Sequence, residues 1–562
     1  MTTPYSVGAY LIDRLKELGI GHVFGVPGDY GFPFMDRIEA DRDIAWVGTC
    51  NELNGAYAAD GYARSHGIAA LVGSCGVLDL GAAAGVGGAY AEQVPVIVIS
   101  CYPPTEAMAQ QVMTHHSLRG KFDRYPRIYE QLTVAQALLS EHNPCREIDR
   151  VLTACWLESS PVYIQLPKDV VELPAEPPAA NLSLPEPQSD ARQLEELVER
   201  IVPVLTDAQI PVMLFDFPGA GHWRWTQLVE DFAEKIGIPF AATYAAMSAG
   251  VDGTHSMYLG TYFGASVGSA ADERVDSADV LVRVCVRSWP DETNRGPAFE
   301  RHGPDVIDLR PDSASIAESQ YSPVALPDVL SRLGSQLSHR SSASGAQSLT
   351  VAPFEPRPAT AITQDRLWEA FWGFVQQDDV VVVDAGTCAA SVQTQPPVRY
   401  RRLFQYSWAA IGWSVPTLLG AHLADPDHRH IEVVGDGAFQ ESAQELSTVI
   451  RHGLAPIIVL LNNGHYVIEN MIRDGGPGDM GYNVLQVWNY HQLPEVFAQG
   501  RNPLGLRVTT EEELQAAFVE AAQAQRERRC TLIEVVLGAH DIPHRMAAVL
   551  GAYLQAKPGH DK

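Results

Sequence analysis

Basic residues are in short supply. Lys and Arg number 40 against 68 Asp and Glu, a formal net charge of −28. A chain this acidic repels phosphate backbones and anionic lipid, which argues against nucleic acid or a membrane surface as partner. The excess of acid is spread along the chain rather than gathered in blocks. Cysteine is scarce as well: 8 residues, with no Cys-x-x-Cys pair. That argues against a disulfide scaffold and the common zinc patterns, and fits thiols kept in a reducing compartment. No apolar run is long enough to cross a bilayer. The first residues, Met1-Thr2-Thr3-Pro4-Tyr5, show no basic stretch leading into an apolar one, so no secretory signal is expected. The expectation is a cytosolic protein.

What is present is a globular chain of 562 residues, 46% hydrophobic. That is too long for one core, so about three domains are expected. Apolar Val7, Tyr10, Leu11, Leu15 and Leu18 fall at helical spacing. Strand and helix then alternate: strands at 22–26, 45–49, 68–73, 94–100 and 162–166, helices at 52–65, 81–92 and near 145–158. Residues 173–188, rich in proline and alanine, read as a linker, as do 336–358, with Ser338, Ser341, Ser342, Ser344 and Gly345 before several prolines. Between them lie strands at 212–215, 280–286 and 306–309 and a helix at 225–236. The loop Phe217-Pro218-Gly219-Ala220-Gly221 lacks the third glycine of a dinucleotide fingerprint and reads as an ordinary loop. The last third repeats the alternation, with strands at 380–384, 431–434, 456–461 and 531–537, helices at 411–423 and 438–450, and a terminal helix at 545–555. The fold class is α/β. Three domains, 1–180, 190–340 and 355–562, each carry a mainly parallel sheet covered by helices.

The chemistry centres on Gly435-Asp436-Gly437, which follows the apolar run Ile431-Glu432-Val433-Val434. Glycines let backbone N–H groups at a strand-to-helix turn approach a phosphate closely. Asp436 offers a hard carboxylate oxygen, and Asn463 offers an amide oxygen at the end of the next strand, about two dozen residues on. Magnesium takes a few such oxygens and completes its shell with water and phosphate. Parallel neighbours bring their carboxyl ends to one edge, where the two ligands meet.

This pairing, Gly435-Asp436-Gly437 with Asn462-Asn463, resembles the thiamine diphosphate enzymes. The resemblance implies thiamine diphosphate and Mg2+ as cofactors. Glu52, in Asn51-Glu52-Leu53-Asn54 at the start of a helix, matches the carboxyl group that hydrogen-bonds the cofactor's pyrimidine ring. Gly28-Asp29-Tyr30, His115-His116 and Glu469 look like the proton-transfer set of the pyruvate and indolepyruvate decarboxylases, which makes Asp29, Glu52, His115, His116 and Glu469 the implied catalytic residues. Ile411, in Ile411-Gly412-Trp413-Ser414, matches the large aliphatic residue under the cofactor's bent middle. Gly435, Asp436, Gly437, Ala438, Asn463, Tyr466, Thr387 and Ala409 complete the implied cofactor contacts. The third metal contact would be the main-chain oxygen of His465.

Three departures stand out. Ala409 occupies a position commonly glycine in the family. Asn462-Asn463-Gly464-His465-Tyr466 replaces Asn-Asn-x-Gly-Tyr, so a positive φ at His465 would be a strained choice. Val77-Leu78-Asp79 replaces a common Gly-Glu pattern. Cys388 and Ala389 are small where the pyruvate-specific enzymes carry tryptophan, and Ile468 and Ile472 lie one helical turn apart. These four are the implied substrate pocket, sized for a branched-chain or aromatic 2-keto acid. The expected reaction is non-oxidative decarboxylation to an aldehyde and CO2. The expected assembly is a homodimer or homotetramer with active sites at the subunit interface. The histidine pair disfavours a carboligase, and Glu52 with the full acid–base set disfavours a non-catalytic cofactor-binding protein.

Overall fold

Aliphatic and β-branched runs become buried parallel strands, and each is followed by a helix that covers it. The computed structural model describes residues 4–184, 188–217, 219, 224–264, 269–286, 296–340, 353–391, 399–474, 480–498, 500–544 and 546. Strands β1 to β6 are His22–Gly25, Ala45–Gly48, Ala69–Ser74, Val96–Tyr102, Ala135–Leu138 and Val162–Pro167. They form one all-parallel sheet in the order β2-β1-β3-β4-β6-β5. Strands β7 to β13 are Pro211–Phe215, Phe240–Thr243, Tyr258–Tyr262, Val280–Val284, Val306–Leu309, Ala314–Ile316 and Ser319–Tyr321. Their sheet is mixed, with β11, β12 and β13 joined antiparallel. Strands β14 to β19 are Val380–Val383, Arg401–Leu403, His430–Gly435, Ile457–Asn462, Leu504–Val508 and Thr531–Val536. They are again all parallel, in the order β15-β14-β16-β17-β19-β18. Renumbered from its own first strand, the third sheet has the order of the first.

In the first and last sheets the central strands lie where the apolar runs predict them, whereas β8, β9, β12 and β13 of the middle sheet are not expected from the sequence. The edge strands β5, β15 and β18 are not expected from the sequence. A half-exposed edge strand needs no continuous apolar run, and β18 is buried only at Val508. Several helices also differ. The expected helix 81–92 is two pieces, Val77–Gly81 and Ala83–Ala91. The expected helix 438–450 is Asp436–Ser442, a 3-10 turn Ala443–Glu445, and Leu446–Arg451. The helix expected from Ile411 begins at Ser414, because Gly412 has a φ of +80° that a right-handed helix excludes. All of the expected terminal helix 545–555 except Met546, and most of the Phe217–Gly221 loop, lie outside the described residues.

The first and last sheets are joined by two helices that touch almost backbone to backbone. In the Glu52–His66 helix, Gly61 faces Thr417 of the Ser414–Ala424 helix, and Gly420 of the latter faces Ala58. A Cβ at Gly420 would fall 1.8 Å from the Ala58 carbonyl oxygen, and one at Gly61 would fall 2.3 Å from that of Thr417. Thr417 Oγ1 donates to the Tyr57 carbonyl at 3.1 Å across the seam. A buried ionic chain runs alongside it. Asp60 accepts from Arg64 Nε at 2.7 Å and from Trp413 Nε1 at 3.0 Å. Arg64 Nη2 donates to Glu92 Oε2 at 2.7 Å, and Glu92 Oε1 accepts from the Ser407 and Trp408 amides at 2.8 and 2.9 Å. Each buried charge is thus paired and hydrogen-bonded, the condition under which burial is tolerated.

A substitution that inserts one methyl into this seam tests it. Gly420→Ala is expected to lower stability by about 1–3 kcal/mol in urea unfolding. Gly373→Ala, at a helical glycine with open space around its Cβ position, is expected to be neutral or mildly stabilising.

Candidate active site

Strands β16 and β17 pair in parallel with Gly435 opposite Leu461, so both end at the same edge. Asp436 begins the helix after β16 and is almost fully buried. Its Oδ1 accepts from the Gly437 amide at 3.0 Å, and its Oδ2 accepts from the Gly464 amide at 2.6 Å. The carboxylate therefore ties the loop after β16 to the loop after β17. Burial pushes its pKa up to about 6, against the pull of those backbone hydrogen bonds. Asn463 follows β17, and its Oδ1 accepts from the His465 amide at 3.0 Å. The Tyr466 ring lies against Gly437, where a Cβ would meet it at 2.3 Å. Above Gly435, in contrast, a Cβ would meet nothing within 4 Å. Ala438 is buried behind the turn.

The neighbouring loops close in from β14. Gly386, just before Thr387, places its missing Cβ 3.9 Å from Ile468 Cγ2. Ile468 and Ile472 are half-buried and pack with Val467, Met471, Ile542 and Met546. Ala389 is half-buried. Cys388 is fully buried in the main core, so it shapes the site from behind rather than facing it. Ile411 is 38% exposed on the loop before the Ser414 helix. Beneath this loop, Asp384 Oδ2 accepts from the Ser414 amide at 2.9 Å, and Ser414 Oγ donates to Glu432 Oε1 at 2.5 Å. Glu432 is fully buried in β16. Burial pushes its pKa up to about 8, with Asp384 adding to the rise and the Ser414 hydrogen bond opposing it.

At the edge of the first sheet, four expected or adjoining residues converge. His115 Nε2 lies 2.9 Å from Asp29 Oδ1, and His115 Nδ1 lies 3.2 Å from the Tyr30 hydroxyl. With Asp29 ionised, Nε2 carries the proton and donates, which leaves Nδ1 to accept from Tyr30. Tyr30 also stacks on the His115 ring at 4.6 Å, and His116 meets it edge-on at 4.6 Å. Partial burial alone would raise the Asp29 pKa. The hydrogen bond from His115 and its charge outweigh that, and the pKa falls below its ordinary value. The Asp29 and His115 side chains remain about half exposed. Glu52 sits at the first position of its helix, capped by Asn51, whose Oδ1 accepts from the Asn54 amide at 2.8 Å. Glu469 is exposed in the first turn of the Val467–Asp474 helix. Among the described residues, no hydrogen bond or ion pair links Glu52 or Glu469 to the Asp29–His115 pair.

Three family models match the chain in order. Residues 5–124 match the thiamine pyrophosphate enzyme N-terminal TPP binding domain, 198–329 the central domain, and 384–535 the C-terminal TPP binding domain. The alpha-keto-acid decarboxylase of Mycobacterium leprae is 35% identical over 98% of this chain and 96% of its own length. That of Mycobacterium tuberculosis (strain CDC 1551 / Oshkosh) is 35% identical over 98% and 97%, and that of Mycobacterium ulcerans 34% identical over 98% and 96%. The chain belongs to the thiamine pyrophosphate-dependent 2-keto acid decarboxylase family.

The donor set fits the cofactor of a thiamine pyrophosphate enzyme. Gly435 leaves open space at a helix start, and each Asp436 oxygen retains a lone pair beyond its amide donor. Two of the three departures resolve in this geometry. At 464–465 the left-handed turn falls on Gly464, with φ +70°, and not on His465. The glycine sits at the position that needs it, so the expected strain at His465 does not arise. Ala409, however, does adopt a left-handed φ of +50°, a conformation that costs a non-glycine residue about 1–2 kcal/mol. The Ala410 amide donating to Gln405 Oε1 at 2.8 Å helps hold that bend. The Val77-Leu78-Asp79 segment folds as a short helix, with buried Asp79 accepting from the Gly76 amide at 2.6 Å and from the Tyr163 hydroxyl at 2.9 Å. Sequence reasoning passed over Glu92 and Glu432. The sign for Glu432 was visible, since it is an acid inside the apolar run Ile431–Val434.

Glu432 makes a pH prediction with a definite sign. Between its ordinary value of 4.5 and about 8, the folded chain keeps a proton that the unfolded chain has released. The stability it contributes is full below the lower value and is lost as pH rises through the upper one. Glu432→Gln removes that slope. Urea unfolding at pH 5 and pH 8 is expected to show the variant gaining stability relative to the parent at the higher pH.

Proposed function

We propose that this protein decarboxylates a 2-keto acid without oxidation, releasing CO2 and an aldehyde, with thiamine diphosphate and Mg2+ bound. The observation that carries this reading is the Asp29–His115–Tyr30 cluster with His116 beside it. Residues of that kind, poised at a sheet edge, suit repeated proton delivery at a reacting carbon. Similarity along nearly the whole chain to proteins named alpha-keto-acid decarboxylases supports the same reaction. We assign pyrimidine binding to residues 1–180, the middle domain to 190–340, and diphosphate and metal binding to 355–562.

In this reading Asp436, Asn463 and the His465 carbonyl hold Mg2+. Gly435, Gly437 and Ala438 face the diphosphate, and Thr387, Ala409, Ile411 and Tyr466 shape the rest of the cofactor's bed. When bound, thiamine diphosphate supplies the electron sink that lets CO2 depart. Glu52 holds a proton at the pyrimidine ring and so sets its tautomer. His115, kept in one tautomer by Asp29 and Tyr30, passes protons with His116 and Glu469.

The half-exposed Asp29–His115 pair and the exposed Glu469 support closure of the site by a second copy of the chain, as a homodimer or a dimer of dimers. Exposed Leu80, Tyr90, Trp408 and Val487 supply apolar surface for it. Among the described residues no helix is long and apolar enough to cross a membrane, and all eight cysteines are free thiols. Both support a cytosolic location. For substrate, half-buried Ala389, Ile468 and Ile472 offer small and apolar side chains, with Cys388 buried in the core, which supports a branched-chain or aromatic 2-keto acid over pyruvate.

A panel of short, branched, phenyl and indolyl 2-keto acids tests this, with aldehyde release followed in the presence of thiamine diphosphate and Mg2+. Higher kcat/KM is expected for the branched or aromatic members than for pyruvate. Glu52→Gln is expected to lower kcat by roughly 10²–10⁴-fold. Absence of CO2 release from every member would contradict the proposal, and near-normal turnover by Glu52→Gln would contradict the role of Glu52.

A further inference from the structure

The loop that carries Glu52 is held from another domain. Cys50 lies two residues before Glu52 and Asn54 two residues after it. The Cys50 amide donates to Glu445 Oε2 at 3.0 Å, and Asn54 Nδ2 donates to the same oxygen at 2.8 Å. Glu445 belongs to the last domain, at the end of the 3-10 turn that follows the Asp436 helix. It is fully buried, Asn54 is 1% exposed, and Glu445 Oε1 has no hydrogen-bond partner among the described residues. Around this contact, Cys50 Sγ rests 3.4 Å from the Gln444 carbonyl, and Arg451 donates to the Gly48 carbonyl at 2.5 Å. On the far side of Glu52, Gly81 leaves no slack. A Cβ there would fall 3.1 Å from Glu52 Cβ and 3.3 Å from Glu52 Oε2.

A carboxylate buried between domains with two neutral donors on one oxygen and none on the other is a poor source of stability. A pair of apolar side chains would join the domains at less cost. What this carboxyl group does, and an apolar pair could not, is hold the Cys50 backbone amide before Glu52 and the Asn54 side chain after it on one oxygen. We propose that Glu445 is a positioning residue for Glu52, setting the direction in which the Glu52 carboxyl group points. The inference rests on the role given to Glu52 above. Because one oxygen accepts both bonds, the clamp needs an acceptor rather than a charge, and glutamine can serve in its place.

The test pairs two readouts on Glu445→Ala, Glu445→Gln, Asn54→Ala and Glu52→Gln. One is amide hydrogen–deuterium exchange over residues 46–57. The other is the exchange rate of the C2 proton of bound thiamine diphosphate, measured by quenched NMR. In Glu445→Ala the segment is expected to lose protection, and C2 exchange is expected to slow by about 10- to 100-fold, the scale set by sub-ångström misplacement of a reacting group. Glu445→Gln is expected to recover most of both. Asn54→Ala removes one of the two bonds without emptying the Glu445 site and is expected to fall between, which keeps the test in hand should Glu445→Ala fail to fold. Unchanged protection in Glu445→Ala, or in Asn54→Ala if that is the folded variant, overturns the clamp. Lost protection with normal C2 exchange overturns the positioning role. Normal C2 exchange in Glu52→Gln instead overturns the reading of Glu52, and the positioning role with it, while the clamp is judged on protection alone.

Discussion

One carboxylate holds two strand ends in register. Asp436 accepts an amide from its own turn and another from the turn after β17, so the loops on which the proposed cofactor site depends cannot move independently. This geometry follows from parallel pairing. Only when neighbouring strands run the same way do their carboxyl ends, and the glycine turns that follow them, reach one edge. Burial of the carboxylate raises its pKa, so an added cation at that edge would relieve a cost the fold already carries.

The second constraint is the close seam between the Glu52 helix and the Ser414 helix. Ala58, Gly61, Thr417 and Gly420 allow the two backbones to touch. The helices belong to sheets of the same strand order, so two similar domains lean on each other through small residues. The Asp60–Arg64–Glu92 chain extends the seam to Ser407 and Trp408, on the loop that carries Ala409 and Ile411. The Glu445 contact extends it in the other direction, to the turn before Glu52. Residues proposed to act on the cofactor from the two domains are therefore positioned by contacts between those domains.

Much of this was legible in the residues. The buried strands β3, β4, β16 and β17 announce themselves as aliphatic runs, and Asn51 before Glu52 marks a helix start that the structure keeps. The Gly-Asp-Gly and Asn-Asn segments meet because strand order, readable as alternation, brings them together. What was not legible has physical causes. Edge strands such as β18 carry mixed side chains because one side faces water. The helix expected from Ala438 breaks at a 3-10 turn that no glycine or proline marks, and that turn delivers Glu445 to the Glu52 loop. Contacts such as Glu92 with Ser407, or Glu445 with Asn54, join residues hundreds of positions apart and leave no local pattern. At Ala409, a position where the family resemblance expects glycine, the backbone is left-handed, which no residue pattern announced.

The most direct measurement is a calorimetric titration of thiamine diphosphate into the protein, in Mg2+ and in EDTA, repeated with Asp436→Ala. Saturable binding in Mg2+ that disappears both in EDTA and in the variant is the result predicted for a carboxylate that grips the diphosphate through a metal. Equal affinity in all three would mean that the edge formed by β16 and β17 is not where the cofactor is held.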